Sequence, residues 1–439
     1  MVSSTTEETG LISNIRLSSV GTSTVTAPDV VQEADGVDLA MKLHYIKSVY
    51  IFDKEAGEGL TIMRVKESLF YLLNDFYVIC GRFRLSESGR PYIKCNDCGV
   101  RFVEADCEKT VEEWLAMKDQ AELHDHLVYY RPIGPEISFS PLVHMQLTRF
   151  KCGGAAVGLN WIHVLGDQSA SAYFLNKWGS VLAGLRAGNP PPTPVSLPPI
   201  KKLQRSENPP PVDKQPISLK RVDPVGDIWE LPGNSKMGKF SFHLSPSHLS
   251  RLQSQVCRDS KIPEFESVCA IIWQSIANIS SQESQPRKVT LFKTLPFDPK
   301  TSILGNNQII SAIEVDFSIP TAHLKNLAES LLNEATDERD GIKSVVEADI
   351  ETSDFIIYGA NLTLVNLENA NVYGLKLNEQ SPKLVYYNVE GVGDGGVVLV
   401  LPVEEDSSRG MFVTVTMLKD QMSSLKNELT NRGVLLNSE

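Results

Sequence analysis

Prolines crowd into one stretch of the chain, AGNPPPTPVSLPPIKKLQRSENPPPVDKQPI, residues 187–217, and this run limits what the chain can fold into. Each proline fixes its own φ and has no amide proton for a helix or a sheet ladder, so the run predicts an extended crossover. It cuts the 439 residues into nearly equal halves, each with its own apolar segments, and two similar-sized domains follow. The divisions are a loose N-terminal arm at 1–36 with one strand near Ile15 and Leu17, a first domain at 37–186, a crossover at 187–235 and a second domain at 236–439.

Periodicity fills in both halves. Val65, Leu69, Leu72, Leu73 and Phe76 recur at three- and four-residue spacing and predict a helical face. The segment RPYIKCNDCGVRFVEAD has β-favouring residues on both sides of Asn-Asp-Cys-Gly, which predicts a hairpin. AAVGLNWI is a buried strand, and Ala172, Leu175, Trp178, Val181, Leu182 and Leu185 mark a helix starting near Ser169. In the second half, helices are expected around 265–279 and 322–336, with strands around 308–317, 395–402 and 411–417. A last helix carries Met422, Leu425 and Leu429. Strands and helices without regular βαβ alternation give an α/β class of two mixed-sheet domains rather than a barrel.

Composition excludes several roles. A formal charge of −12 lacks the basic face that phosphate binding needs, so no nucleic-acid partner is expected. The start, MVSSTTEETGLISNIRLSSV, lacks a signal peptide's basic and apolar runs, and no stretch of about 18 apolar residues suggests a span, so the expected compartment is the cytosol. Seven cysteines in such a chain are expected to be reduced.

Several clusters carry residue types that can form sites. Cys95 and Cys98 of CNDC, with Cys107, supply thiolates, but no second ligand pair stands at finger spacing, so they are read as a hairpin turn without metal. His124 and His126 of LHDH are read as a solvated loop, and Gly153-Gly154 and GVGDGG at 391–396 as turns. His163 in GLNWIHVLGDQSAS differs, because an imidazole at a strand end can take a proton from a hydroxyl attacking a carbonyl. No serine or cysteine elbow accompanies it, which favours direct transfer over a covalent intermediate. Asp167, four residues on, either orients the ring or braces the loop.

Together these pieces resemble the plant BAHD acyltransferases, which move an acyl group from coenzyme A to an alcohol or amine. The resemblance rests on HVLGD for the family's H-x-x-x-D, IKCNDCGVRFVEAD for its first-domain hairpin, ILGN at 303–306 for its Y-F-G-N segment, and the Pro-rich crossover. It implies a channel between the domains with His163 at its middle, and Asp167 as a structural brace held by a salt bridge. The family's second signature, D-F-G-W-G, is degenerate here: Asn371, Val372, Tyr373, Gly374 and Leu375 stand in its place. An amide cannot make the charge-assisted bridge of a carboxylate to an arginine, and Lys293 is the nearest candidate for the missing cation. Gln168 replaces the glycine that commonly follows the aspartate.

Five longer stretches are similar to the eceriferum/glossy clade of plant cuticular-wax proteins: DLAMKLHYIKSVYIF, RPYIKCNDCGVRFVEA, RFKCGGAAVGLNWIHVLGD, SDFIIYGANLTLVNLE and NVEGVGDGGVVLVLP. That resemblance implies an accessory protein of the endoplasmic-reticulum fatty-acid elongase, changing the chain length accepted by a 3-ketoacyl-CoA synthase. Its place would be the cytosolic face of the reticulum, reached through that partner. The alternative is an active acyltransferase with His163 as general base. No cofactor is implied, with acyl-CoA as substrate or ligand.

Overall fold

The computed structural model describes residues 10–118, 120–193, 215–233, 236–257, 262–300, 302–405 and 408–436. The centre of the Pro-rich crossover, 194–214, lies outside the described residues. Two mixed sheets dominate. The first has six strands in the order Ile12–Val20, Val100–Cys107, Val143–Phe150, Ala155–Ile162, Tyr45–Phe52 and Leu384–Glu390. The second has seven, in the order Met237–Leu244, Ser408–Leu418, Val397–Glu405, Leu362–Asn366, Lys288–Lys293, Ile309–Glu314 and Thr336–Asp337.

The period of two explains how the second sheet joins the two halves. Side chains alternate across a strand, so Val397, Leu399 and Leu401 enter the larger core shared with the first half. Val398 and Val400 enter a smaller core with the helix Glu264–Ile279. Phe292, Ile310 and Val365 also face the shared core, which makes the seam between the halves apolar and continuous. At the centre of the first sheet, every residue of Ala155–Ile162 is buried, between Tyr45–Phe52 and Val143–Phe150. Gly158 is required there, because a Cβ would sit 1.9 Å from the Leu127 carbonyl oxygen.

Helices form where the 3.6-residue pattern placed them: Ile62–Leu72, Gln168–Arg186, Glu264–Ile279, Leu324–Asn333 and Lys419–Asn431. The strand expected near Ile15 and Leu17 is Ile12–Val20, an edge strand antiparallel to Val100–Cys107. Two expectations are corrected. The expected hairpin does not form, because Pro91–Lys94 pairs with Arg82–Leu85 and Val31–Glu33 in a separate three-stranded sheet. Its turn is a corner between sheets: Asp97, at φ 53°, accepts from the amide and hydroxyl of Thr26, while the Arg82 guanidinium donates to the Cys98 and Gly99 carbonyls. Alternation reveals a strand but not its partner.

The second correction concerns LHDH, which is packed rather than solvated. His124 is buried, its Nδ1 accepting from Trp114 Nε1 at 3.4 Å. Asp125 joins an ion cluster across the seam: Lys47 lies 3.2 Å from Asp125 and 2.8 Å from Glu390, and Lys239 lies 2.7 Å and 2.5 Å from the same two. Lys47 comes from Tyr45–Phe52, Lys239 from Met237–Leu244 and Glu390 from Leu384–Glu390, so the cluster ties the two sheets. Burial opposes ionisation of Asp125, yet the two ammonium groups hold its pKa down to about 2. The cluster balances two cations against two carboxylates, and losing one cation leaves an uncompensated charge. Lys239→Met is expected to lower stability by about 3 kcal/mol. Lys239→Met with Glu390→Leu, which restores the balance, should recover more than half of that loss in urea-denaturation midpoints.

Candidate active site at the domain seam

The HVLGD segment is a strand-to-helix junction. His163 follows the last residue of Ala155–Ile162 and opens a single 3-10 turn, His163–Leu165. Gly166 then reverses the chain at φ 148°, and a Cβ there would come within 2.8 Å of the Gly305 amide nitrogen. The close approach serves pairing: the Gly305 amide donates to the Leu165 carbonyl at 2.8 Å, and the Asp167 amide donates to the Gly305 carbonyl at 3.3 Å. The ILGN segment of the second half therefore seats on the histidine motif of the first.

Asp167 is the N-cap of Gln168–Arg186. One carboxylate oxygen accepts from the Ser169 and Ala170 amides at 3.0 and 3.1 Å, satisfying donors that the helix leaves orphaned. The other accepts from the Asn307 and Gln308 amides at 3.0 and 3.1 Å, across the seam. The salt bridge that the family resemblance implied is thus replaced by backbone amides. Burial raises the Asp167 pKa, while these four bonds oppose the rise. Asn306 completes the junction. Its side-chain amide donates to the His163 carbonyl and to Asp38, each at 2.9 Å, and Arg339 donates to its carbonyl at 3.2 Å.

The histidine ring faces no solvent. His163, Gln168, His44 and Tyr358 are each 0% exposed. His163 Nε2 lies 2.9 Å from the Tyr358 hydroxyl, and Gln168 Nε2 donates to the same oxygen at 3.2 Å. The tautomer of the neutral His163 ring sets which of the two, ring nitrogen or hydroxyl, donates in that bond. Phe292 stacks on the tyrosine with centroids 4.5 Å apart and planes at 17°, and His44 meets its edge at 5.1 Å. Two surface clefts, of about 560 and 490 Å³, lie elsewhere, the larger between Val222, Leu231, Met237, Ile356 and Val392; His163 lines neither. Nothing in the primary pattern singles out Tyr358, His44 or Asp38, which reach the site only through the fold.

The remaining candidates lie apart from His163. Asn371, at φ 47°, accepts through its carbonyl from Asn176 Nδ2 at 3.0 Å and from the Gly374 amide at 3.2 Å. Val372 and Leu375 are buried, Leu375 against Gly179, and Tyr373 packs on the shared core. Asn176 stands nine residues along the helix from Asp167, roughly 13 Å away at 1.5 Å per residue, so the degenerate loop packs on the helix's middle. Lys293 pairs with Glu266 at 3.2 Å rather than with Asn371. Cys107 ends the strand whose other end follows Cys95 and Cys98, and no His, Cys, Asp or Glu group among the described residues is arranged to hold a metal.

Burial sets the protonation of this region. It lowers the pKa of His163 to about 4 and of His44 to about 3, and likewise of His124 to about 4 and His144 to about 3. Below pH 6.5 the unfolded chain binds protons that these rings refuse, so each withdraws about 1.4 kcal/mol of stability by pH 5.5. Asp38 works in the opposite direction: burial and Asp35 raise its pKa to about 7, so the fold gains stability there as the pH falls. With four rings against it, the melting temperature is expected to drop between pH 7 and pH 5. The His163 ring nitrogen resonances should stay those of a neutral imidazole throughout; titration near 6.5 would contradict the burial. Asp167→Asn, which turns a donor toward donors, is expected to cost about 2–4 kcal/mol in denaturant titrations.

The description "Transferase family" matches residues 35–431. Among curated relatives, ECERIFERUM 26 of Arabidopsis thaliana is 40% identical, covering 97% of each chain. ECERIFERUM 26-like and ECERIFERUM 2 of the same plant are 42% and 35% identical, over 98% and 96% of this chain and 98% of each relative. Among solved structures, vinorine synthase superposes with a TM-score of 0.70 at 19% identity, covering 96% of this chain and 98% of that one. The F. graminearum TRI101 complex with coenzyme A and deoxynivalenol gives 0.65 at 14% identity, covering 91% and 97%. With the two mixed sheets and the intact HVLGD junction, these likenesses place the chain in the BAHD transferase family, beside the ECERIFERUM proteins.

Proposed function

We propose that the protein is an accessory factor of the fatty-acid elongase at the endoplasmic reticulum. It acts on a 3-ketoacyl-CoA synthase to extend the chain lengths made for cuticular wax, without acyl transfer at His163. The observation that carries this reading is the closed histidine: its Nε2 is already bonded to the Tyr358 hydroxyl and its ring is fully buried. A general base must reach its substrate's hydroxyl within about 2.6–3.2 Å, and here the chain's own phenol holds that position. Similarity to the ECERIFERUM proteins over nearly the whole chain, with the degenerate second signature, supports the same role.

Long-chain acyl-CoA is the ligand class this role involves, and the coenzyme A complex of the structural neighbour TRI101 supports it at the level of the fold. Each buried methylene is worth about 0.8 kcal/mol, so a protein contacting the acyl tail would discriminate chain length by a few carbons. No helix among the described residues is long and apolar enough to cross a membrane, and the synthase would supply the attachment. The second reading, transfer from acyl-CoA to an alcohol or amine with His163 as base, is favoured by the intact junction from His163 to Asp167.

Co-expression with a plant condensing enzyme in yeast separates the two. His163→Ala is expected to leave the extended acyl-chain profile unchanged. Loss of that extension, with the variant still folded and bound to the synthase, would return the function to catalysis. Purified protein given long-chain acyl-CoA and alcohols should form no ester.

A further inference from the structure

We propose that an apolar knob around Phe139 is a docking surface for a protein partner that presents an apolar pocket ringed by basic side chains. Phe139, Leu85 and Ile228 are 73%, 51% and 45% exposed. They come from segments far apart in sequence that are laced together. The Arg84 guanidinium donates to the Phe83 and Ser138 carbonyls at 2.8 and 3.0 Å, tying the strand Arg82–Leu85 to the loop at 131–140. The Trp229 amide donates to the Ile133 carbonyl at 2.9 Å, and its ring packs on Phe83 with centroids 4.5 Å apart. Gly134 lets the crossover approach that closely, since a Cβ there would stand 2.0 Å from the Asp227 carbonyl oxygen.

The loop is also closed on itself. The Phe139 amide donates to the Glu136 carbonyl at 3.0 Å, and the Gly134 amide donates to the Ser140 hydroxyl at 2.9 Å. Phe139 is therefore presented from a braced turn, which leaves a partner little ordering to do. An aromatic flanked by aliphatic side chains is the composition of an interface centre. The surrounding charges select what covers it. In segments 82–88, 131–140 and 223–229 the exposed ionic side chains are Glu87, Glu136, Asp223 and Asp227 against Arg131, and the whole chain carries −12. Such a rim repels a second copy of this chain and an anionic lipid surface alike, and it steers a basic-rimmed face into register.

The proposal rests on the accessory reading above and names a surface for it. The test titrates the full chain onto a plant 3-ketoacyl-CoA synthase held in detergent micelles. Phe139→Ser with Leu85→Ser is expected to bind about 10-fold more weakly than the wild type. Met63→Ser, which changes a 79% exposed side chain on the helix Ile62–Leu72, should bind as the wild type does. Glu136→Lys with Asp227→Lys, which leaves the knob intact, should weaken binding about 5-fold, and raised salt should remove that difference. Unless both paired variants weaken binding, the proposal falls and the accessory reading stands; a wild type that does not bind the synthase overturns both. A wild-type dimer that Phe139→Ser dissolves would give the knob to a second copy. Binding to phosphatidylcholine–phosphatidylserine vesicles that Phe139→Ser abolishes would give it to the membrane. Either result overturns the proposal.

Discussion

A single buried carboxylate accepting four backbone amides holds the centre of this molecule. Asp167 caps the helix Gln168–Arg186 with one oxygen and grips the Asn307 and Gln308 amides of the other half with the second. No arginine or lysine is needed, because charge-assisted bonds from N–H groups offset much of the burial cost. The spacing from His163 to Asp167 is the length of a strand end, one 3-10 turn, a reversing glycine and a helix cap. The aspartate of H-x-x-x-D is thus a requirement of the junction itself, whatever chemistry the histidine performs.

Around that junction, burial decides protonation and access together. The neutral imidazole follows from desolvation, and the hydroxyl hydrogen-bonded to it belongs to a tyrosine from the second half. The degenerate loop at Asn371–Leu375 packs on the same helix roughly two and a half turns beyond the site. Its change of residue types therefore alters the helix's outer support and leaves the histidine's immediate contacts to Tyr358 and Gln168.

Much of this architecture was legible in the sequence, for reasons that differ by element. Val65, Leu69 and Leu72 announce their helix because periodicity is a local property. AAVGLNWI announces a central strand because both of its faces are apolar. Strand partners are not local, which is why the segment around CNDC reads as a hairpin although its two strands belong to different sheets. LHDH looks solvated for a similar reason, since its cations, Lys47 and Lys239, lie far away in sequence. His163 and Asp167 stand out through their motif, whereas Tyr358, which arrives 195 residues later, carries no signature at all.

One exchange in the topology has a consequence for how the chain is made. The sixth strand of the first sheet, Leu384–Glu390, comes from the second half and pairs with Tyr45–Phe52 along its full length. During synthesis the early segments must therefore wait, with the Tyr45–Phe52 edge bare, until residue 390 has left the ribosome. An open, apolar edge is an invitation to pair with other chains. The time the ribosome takes to travel from the first half to Glu390 is therefore the time for which that edge lacks its partner strand.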